Sequence, residues 1–303
     1  RYSDIDAYAM AAASIDEALR NAVCVGVDLD LIAGLDNFCW PDPVESAKTP
    51  DGRYKLAQLV RANRALDDVC RAYNLPCISG KDSMKNDATL HGEKISIPPT
   101  ILFSLIGNHS DVRKAVSSDF KSVRDRIYLC GESHQELGAS ELAYMLREQI
   151  DGVSGIGGRV PEIDAERNLA MYRALTVAMG EGLIASAHDC SDGGLAAAVA
   201  ECCFGADAGA NIDVSKIMGD CTEIDSWGAL FGESLGRILV SVEPQYCAVF
   251  EAAMNGLACY ALGGVEAGDQ ISISNLLEII SKSLQLILKV SHSCRSLGTN
   301  SPI

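Results

Sequence analysis

Hydrophobic residues recur with two periods along this chain, and the change between them predicts alternating helices and strands. In residues 55–73, apolar side chains follow the three-and-four spacing of a helix with one buried face. The Ala- and Leu-rich residues 8–25 predict an earlier helix that ends at Gly26. Continuous apolar runs at 100–106 and 126–130 predict buried strands. This part of the chain therefore has the pattern of a mixed α/β structure.

The second half continues the alternation, after a stretch of polar residues of mixed charge at 108–125. Its predicted helices cover about residues 140–148, 165–179, 193–203 and 244–255, and its predicted strands cover 183–188, 237–242 and 259–265. We therefore predict two domains, at residues 1–115 and 122–275, followed by a tail at 276–303. Turn-forming residues at 36–43 predict a loop inside the first domain.

Composition and charge exclude several classes of protein. The 303 residues include 25 Lys and Arg against 41 Asp and Glu, a formal net charge of −16, whereas a protein that wraps nucleic acid needs a basic surface. No apolar run approaches the ~20 residues that cross a bilayer, so no membrane association is expected. The 12 cysteines include no Cys-x-x-Cys pair and lie mostly in apolar stretches. They are predicted to be reduced core residues of a cytoplasmic protein.

The first candidate for chemistry is a pair of oxygen-bearing side chains on the first predicted helix. Glu17 and Asn21 are four residues apart, so both lie on one face, one turn apart. Hard oxygen ligands suit Mg²⁺, which binds through one or two protein groups together with substrate phosphates. A solvated Glu beside a polar neighbour is the alternative interpretation of the same pair.

The second candidate is the Gly-Lys pair at Gly80 and Lys81, which follows a short predicted strand. It is not a Walker A loop, because position 75 is Leu where that motif needs a second glycine. A turn with a glycine, a lysine and the nearby Ser83 hydroxyl suits a phosphate, since the lysine supplies a point charge and the glycine permits close approach. A plain turn remains the alternative.

The third candidate, residues 188–195, lies between a predicted strand and a predicted helix. Ser191 or Asp192 is the expected N-cap, and a helix N-terminus with adjacent glycines favours an anion. Asp189 is placed to hold a cation that accompanies the phosphate, while His188 is expected to pack at the strand end. Glu233, in a Gly-Glu-Ser turn, is a further candidate, with an ordinary hairpin turn as the alternative.

Together these segments resemble the synthetase part of phosphoribosylformylglycinamidine synthase, over about residues 4–270. The motifs occur in that family's order: residues 17–21 in the first helix, then 35–40, 78–83, 188–195 and 230–234. The wider superfamily includes aminoimidazole ribonucleotide synthetase and selenophosphate synthetase. The family has two tandem copies of a two-domain module, and this chain resembles the second copy. A start without Met fits processing or trimming of the chain, and it also fits a piece of a longer protein.

The resemblance implies an α/β (α+β) fold like that of aminoimidazole ribonucleotide synthetase, with an N-terminal sheet-plus-helix dimerisation domain and a C-terminal α/β sandwich. It implies a ligase of purine biosynthesis, in which ATP activates the formyl-amide oxygen of formylglycinamide ribonucleotide and ammonia then displaces the phosphate. By motif position, the implied contacts are Mg²⁺ at Glu17, Asn21 and Asp189, nucleotide phosphates at Gly80 and Lys81, and substrate at Ser83 and Ser191. Cations there would offset the charge of a transferring phosphoryl group.

The family's catalytic histidine and main glycine-rich nucleotide loop belong to its first copy, so no catalytic residue is assigned in this chain. The implied partners are the N-terminal half of the same synthetase and a glutaminase that supplies ammonia. An open apolar sheet face in the first domain would also predict a dimer or pseudo-dimer. Two alternatives remain open: a structural half that holds a nucleotide without turnover, and a self-sufficient homodimer of the same superfamily.

Overall fold

The computed structural model of the chain describes residues 1–147, 149, 157–206, 208–220 and 224–274. The elements of the first half are α1 (Ala7–Val23), β1 (Asp28–Cys39), α2 (Gly52–Ala72), β2 (Cys77–Ser83), β3 (Asp87–Leu90), β4 (Glu93–Ser96) and β5 (Thr100–Asn108). Those of the second half are β6 (Arg126–Cys130), α3 (Glu141–Leu146), α4 (Ala165–Gly180), β7 (Ser186–Asp189), α5 (Gly194–Phe204), β8 (Ala208–Asp213), α6 (Ser215–Asp220), α7 (Ser226–Phe231), β9 (Ile238–Val242), α8 (Cys247–Ala253), β10 (Cys259–Ala267) and β11 (Ile271–Ser274).

Helix α1 forms because one of its faces is apolar and its first turn is capped. The Asp6 carboxylate accepts a hydrogen bond from the Ala9 backbone N–H at 2.9 Å, which satisfies one of the free donors at the helix start. Ile15, Leu19 and Val23 follow at four-residue spacing and are fully buried. This apolar face lies in the same core as the inner face of the first sheet.

The first sheet has the order β2-β1-β5, with β1 parallel to β2 and antiparallel to β5. On β5, Ile101 and Phe103 are buried, whereas Leu102 is 60 % exposed and Ile106 is 67 % exposed. Ile78 on the edge strand β2 is also 67 % exposed. Leu102 and Ile106 are therefore uncovered on the outer face of this sheet in the single chain, which is the open apolar face that would predict a dimer or pseudo-dimer.

Two of the predicted connections are wrong. Residues 36–39, expected in a loop, continue β1, and the expected Gly-Lys turn lies within β2. Strand β1 hydrogen-bonds to a neighbour on each side, with Asp36 opposite both Gly80 and Phe103. Pairing on both edges overrides the local turn preference of Asp and Asn, because strand propensity depends strongly on context.

The second sheet has the order β11-β8-β10-β6-β9-β7. The side chains of strand β6 contribute to a different core on each face of this sheet. Tyr128 and Cys130 join the core that holds α1, α2 and α4, whereas Ile127 and Leu129 join a second core with α5 and α7. The first core is thus shared between the two halves of the chain.

The predicted α/β class is confirmed, and most predicted helices and strands are present within a few residues of their expected bounds. The strands β8 and β11 and the hairpin β3–β4 were not predicted, because they are short and carry no long apolar run. The domain division at residues 115–122 stays a prediction, and the tail at 276–303 lies outside the described residues. Among the described helices, none combines the length and the apolar character needed to span a membrane.

The prediction that the cysteines are core residues is wrong for Cys77. Ten cysteines in the described part of the chain are free thiols, and most are buried. Cys77 begins the edge strand β2 and is exposed, with its sulfur 3.7 Å from that of Cys70. An edge strand leaves one side open to solvent, so an apolar neighbourhood in sequence does not ensure burial there.

Candidate functional site

A pocket of about 260 Å³ lies between α1 and the loop that joins β7 to α5. Glu17 and Arg20 line it from α1, Ser191 and Asp192 line it from the loop, and Glu233 lines it from the turn after α7. Groups from three separate stretches of the chain therefore converge on one concave surface. Three of the sequence motifs singled out above contribute to it.

The β7–α5 loop reaches the pocket because two successive glycines adopt left-handed backbone conformations. Gly193 has a φ of +80° and Gly194 a φ of +65°. A Cβ atom on Gly194 would lie 2.4 Å from the Gly232 carbonyl oxygen, so a larger residue would clash there. The prediction of Ser191 or Asp192 as the N-cap is wrong. The N-cap of α5 is Gly193, which has no side chain to accept a hydrogen bond from the first turn of the helix. Ser191 is thereby free for other contacts.

A chain of polar contacts leads from Arg20 and Ser191, which line this pocket, to Asp189 and Asn21. The Arg20 Nη2 atom donates to the Ser191 hydroxyl oxygen at 3.1 Å, and that hydroxyl donates to the Asp189 carboxylate. With its amide nitrogen turned toward Asp189, Asn21 donates to Oδ1 at 3.1 Å and Oδ2 at 3.3 Å. The structure therefore brings together Asn21, Asp189 and Ser191, although Asn21 and Ser191 are 170 residues apart in the sequence.

Glu17 completes the acidic side of the pocket. It keeps access to solvent, yet the loss of surrounding water raises its pKa, and the nearby Asp189, Asp192 and Asp16 raise the pKa further. Arg20 opposes this shift. A cation bound among these carboxylates would stabilise the ionised form of Glu17, because its positive charge offsets their negative charges.

The donor set fits Mg²⁺ held together with a phosphate. Within the part of the chain that the structure describes, no three His, Cys, Asp or Glu side chains form a metal centre by themselves. One or two carboxylates are nevertheless the usual protein share of a Mg²⁺ site, because phosphates and water supply most of the remaining oxygens, and an amide oxygen is a ligand of the same hard type. Glu17, Asn21 and Asp189 are suited to that share.

The other predicted residues lie on the first sheet instead. Gly80, Lys81 and Ser83 are on the edge strand β2, where the Lys81 ammonium donates to the Ser83 hydroxyl. The close approach at Gly80 is to the Asp36 carboxylate of β1, whose oxygen lies 2.9 Å from where a Cβ would stand. Among the described residues, no hydrogen bond or salt bridge joins these three to the Glu17–Asp189 pocket, so the structure does not unite the two predicted groups.

Asp16 is a component of the site that sequence reasoning missed. It is fully buried, forms an ion pair with Arg20, and accepts hydrogen bonds from Tyr73 at 2.5 Å and Tyr172 at 2.8 Å. The available signal was its spacing: Asp16 and Arg20 stand four apart on the face of α1 that also carries Val23. Charged residues at apolar helix positions indicate a buried ion pair.

Glu233 proves to be a structural bridge, and the hairpin alternative for its turn is wrong because the turn joins α7 to β9. One of its carboxylate oxygens accepts from the backbone N–H groups of Gly193 at 2.9 Å and Glu141 at 2.8 Å. The side chain is 5 % exposed, and this burial raises the pKa of Glu233 to about 7. Arg237, also buried, donates to the carbonyls of Gly232 and Ser234 and holds the turn in place.

Comparison with known proteins identifies the class of protein to which this fold and pocket belong. Residues 123–274 match the family model described as "AIR synthase related protein, C-terminal domain", and the chain belongs to this family. It is 33 % identical over 285 residues to "Phosphoribosylformylglycinamidine synthase subunit PurL" of Anaeromyxobacter sp. (strain Fw109-5), covering 92 % of this chain and 35 % of that protein. The motif-based resemblance is thereby confirmed. The chain spans about a third of the length of this relative.

Two solved structures show the same fold. One, titled "T. maritima PurL complexed with FGAR", has a TM-score of 0.68 and 17 % identity, over 90 % of this chain and 42 % of that one. The other, titled "T. maritima PurL complexed with ATP", has a TM-score of 0.62 and 16 % identity, over 90 % of this chain and 40 % of that one. At these identities the likeness supports the fold alone.

Proposed function

We propose that this chain is the C-terminal half of the synthetase part of an ATP-dependent, amidine-forming ligase of purine biosynthesis. The proposed reaction converts formylglycinamide ribonucleotide, ATP and glutamine-derived ammonia into formylglycinamidine ribonucleotide, ADP and phosphate. The observation that carries the proposal is that Glu17 and Ser191 line one pocket, while Asp189 and Asn21 are hydrogen-bonded in a row behind Ser191. The two T. maritima PurL structures, one complexed with FGAR and the other with ATP, support the choice of substrates.

In this proposal the pocket holds a Mg²⁺–phosphate unit. Glu17 and Asp189 supply carboxylate oxygens to the ion, and Asn21 supplies an amide oxygen. When bound, Mg²⁺ offsets negative charge on the phosphates. Ser191 contacts the substrate side of the pocket. Arg20 adds a fixed positive charge at the floor, where the guanidinium is 1 % exposed.

The first sheet supplies the partner surface. Leu102 and Ile106 form an exposed apolar face of a kind that single soluble chains seldom leave open, and Ile78 on the edge strand is also exposed. We assign this face to the N-terminal half of the same synthetase, in a dimer or pseudo-dimer. Gly80, Lys81 and Ser83 lie on the edge strand of that sheet, so they would meet nucleotide phosphates and substrate near the junction between the halves.

The proposal includes two domains, at residues 1–115 and 122–275, and a glutaminase as the ammonia source. It assigns no catalytic residue to this chain. The location is cytoplasmic, because the ten described cysteines are free thiols, as in a reducing compartment.

The test of the proposed function is ADP release from ATP, Mg²⁺, formylglycinamide ribonucleotide and ammonium. The chain alone should be silent, and adding the N-terminal half should restore turnover. Turnover by the chain alone would contradict the half-enzyme assignment and favour a self-sufficient homodimer. Silence of the reassembled pair would contradict the proposed reaction.

A further inference from the structure

A buried carboxylate lies directly behind the candidate pocket, at the point where three helices meet. The Asp16 side chain is fully buried on α1. Its Oδ1 atom accepts from the hydroxyls of Tyr73, at the end of α2, and Tyr172, on α4, at 2.5 and 2.8 Å, and from the Asn168 amide at 3.2 Å. Its Oδ2 atom accepts from the Arg20 guanidinium. Both oxygens are therefore engaged, and the carboxylate has one fixed orientation.

The Arg20 guanidinium transmits this orientation to the pocket. One terminal nitrogen donates to Asp16, while the other donates to the Ser191 hydroxyl at 3.1 Å. A hydroxyl has a single proton, so when Ser191 accepts from Arg20 its own proton is free to point to Asp189. The observed contact from Ser191 to Asp189 has this direction. Donation thus runs from Arg20 through Ser191 to a proposed metal ligand, while Asp16 accepts from the same guanidinium.

Stability alone does not account for this pair. Removing two charges from water is costly, and apolar residues of similar volume commonly stabilise a fold at least as well as a buried ion pair. What apolar residues cannot do is hold a hydroxyl and a carboxylate in a defined hydrogen-bonded orientation. The planar fork of an arginine can do so, because its donors contact two groups at once.

We infer that Asp16 and Arg20 are positioning residues, which hold the Ser191 hydroxyl and the Asp189 carboxylate in the orientation that binds metal and phosphate. The inference rests on the proposed function only in taking the pocket as a metal–phosphate site. Neither residue needs to touch the metal. Their action passes through Ser191, which couples the pocket to the junction of α1, α2 and α4.

The test is a titration of the full 303-residue chain with Mn²⁺ in the presence of ADP, followed by electron paramagnetic resonance, with melting temperature measured on each sample. Mn²⁺ takes the same oxygen ligands as Mg²⁺. In the D16N/R20M variant both charges are absent, so no unpaired buried charge remains, and the amide that replaces the Asp16 carboxylate still offers an oxygen to the two tyrosines. We expect a melting temperature near that of the wild type and a Kd for Mn²⁺ about 10- to 100-fold higher.

Arg20→Lys is the second variant, because it preserves the charge beside Asp16 and removes the fork. A lysine has one nitrogen and does not span Asp16 and Ser191 together. Positioning predicts a folded protein with weakened Mn²⁺ binding, whereas a purely structural role predicts unchanged binding. The matched control is D67N/R71M, an exposed ion pair at the same four-residue spacing on α2, which should leave the Kd unchanged.

The outcomes separate the two proposals. Folded D16N/R20M or Arg20→Lys protein with the wild-type Kd would overturn the positioning role and leave the metal site standing. Absence of Mn²⁺ binding by the wild-type chain would overturn the metal site itself, and the positioning role with it.

Discussion

The pocket between α1 and the β7–α5 loop and the edge strand β2 carry the two groups of predicted site residues, and they are built in opposite ways. Behind the pocket, Asp16 and Arg20 are buried and hydrogen-bonded on both sides. Along β2, the exposed Lys81 donates a hydrogen bond to Ser83 on the same strand. Ile78, three residues before Lys81, is also exposed. Side chains that are buried and hydrogen-bonded on two sides have few accessible orientations, whereas exposed side chains on an edge strand have many, although the buried Arg20 Nε has no hydrogen-bond partner among the described residues.

The difference indicates which region is complete in this chain. The pocket has its orienting contacts within the chain, so it is preformed. The β2 region has an apolar face and a free edge, which are features of a surface that another polypeptide covers. The following predictions test this division, from the largest expected effect to the smallest.

The largest effect is expected from Asp16→Asn. The substitution keeps the shape of the side chain but leaves the buried Arg20 without a counter-charge, which costs about 3–5 kcal/mol of unfolding free energy. Urea denaturation measures this loss. The control is Asp67→Asn, which breaks an exposed pair with Arg71 and should cost less than about 1 kcal/mol. Equal losses for both variants would remove the distinction between the pocket and the surface.

Glu17→Ala should lower turnover of the reassembled enzyme about 100- to 1,000-fold, because a proposed ligand of the Mg²⁺ that offsets the phosphate charge is lost. The melting temperature should hold or rise, since Glu17 lies among the carboxylates of Asp16, Asp189 and Asp192. ADP release and thermal denaturation measure the two effects, with the exposed Glu93→Ala as control. A lower melting temperature with normal turnover would support the alternative of a structural half.

The Glu233 carboxyl should make stability fall as pH rises. Its pKa is raised from 4.5 to about 7 by burial, so the folded protein retains a proton that the unfolded chain releases. The stabilisation is complete below pH about 4.5 and is lost by pH about 7, a change on the order of 3 kcal/mol. Glu233→Gln should flatten this part of the pH profile in urea denaturation. An unchanged slope would show that Glu233 is ionised in the folded protein.

Leu102→Asp should weaken association with the N-terminal half about 10- to 100-fold, because burial of one leucine contributes about 1.5–3 kcal/mol. The fold should persist, since this side chain is 60 % exposed in the single chain. Sedimentation velocity of the mixed halves measures the association. Val177→Asp on α4, also 60 % exposed, is the matched control and should leave association unchanged. Loss of association in both variants would show that exposure alone does not mark the interface.

Hydrophobic periodicity predicted the helices and strands that carry the pocket, but it could not predict which of them pack next to one another. Helices α1, α4 and α5 and strand β6 follow local patterns of apolar residues and were found from them. The extension of β1 through residues 36–39 was missed, because it depends on hydrogen bonds to β2 and β5 rather than on local preference. The N-cap of α5 was assigned wrongly for a related reason, since the backbone of Gly194 lies close to the Gly232 carbonyl, a contact made by a distant part of the chain.

By itself the sequence determined the α/β class, the motifs and the residue types suited to Mg²⁺ and phosphate, because these depend on composition and on short-range spacing. Only the tertiary structure decided that Asn21 contacts Asp189, that Arg20 contacts Ser191, and that Asp16 is buried behind them. It also separated Gly80 and Lys81 from that pocket by placing them on an edge strand. The physical reason is that these contacts depend on which helices and strands pack together, and packing joins residues far apart in the chain.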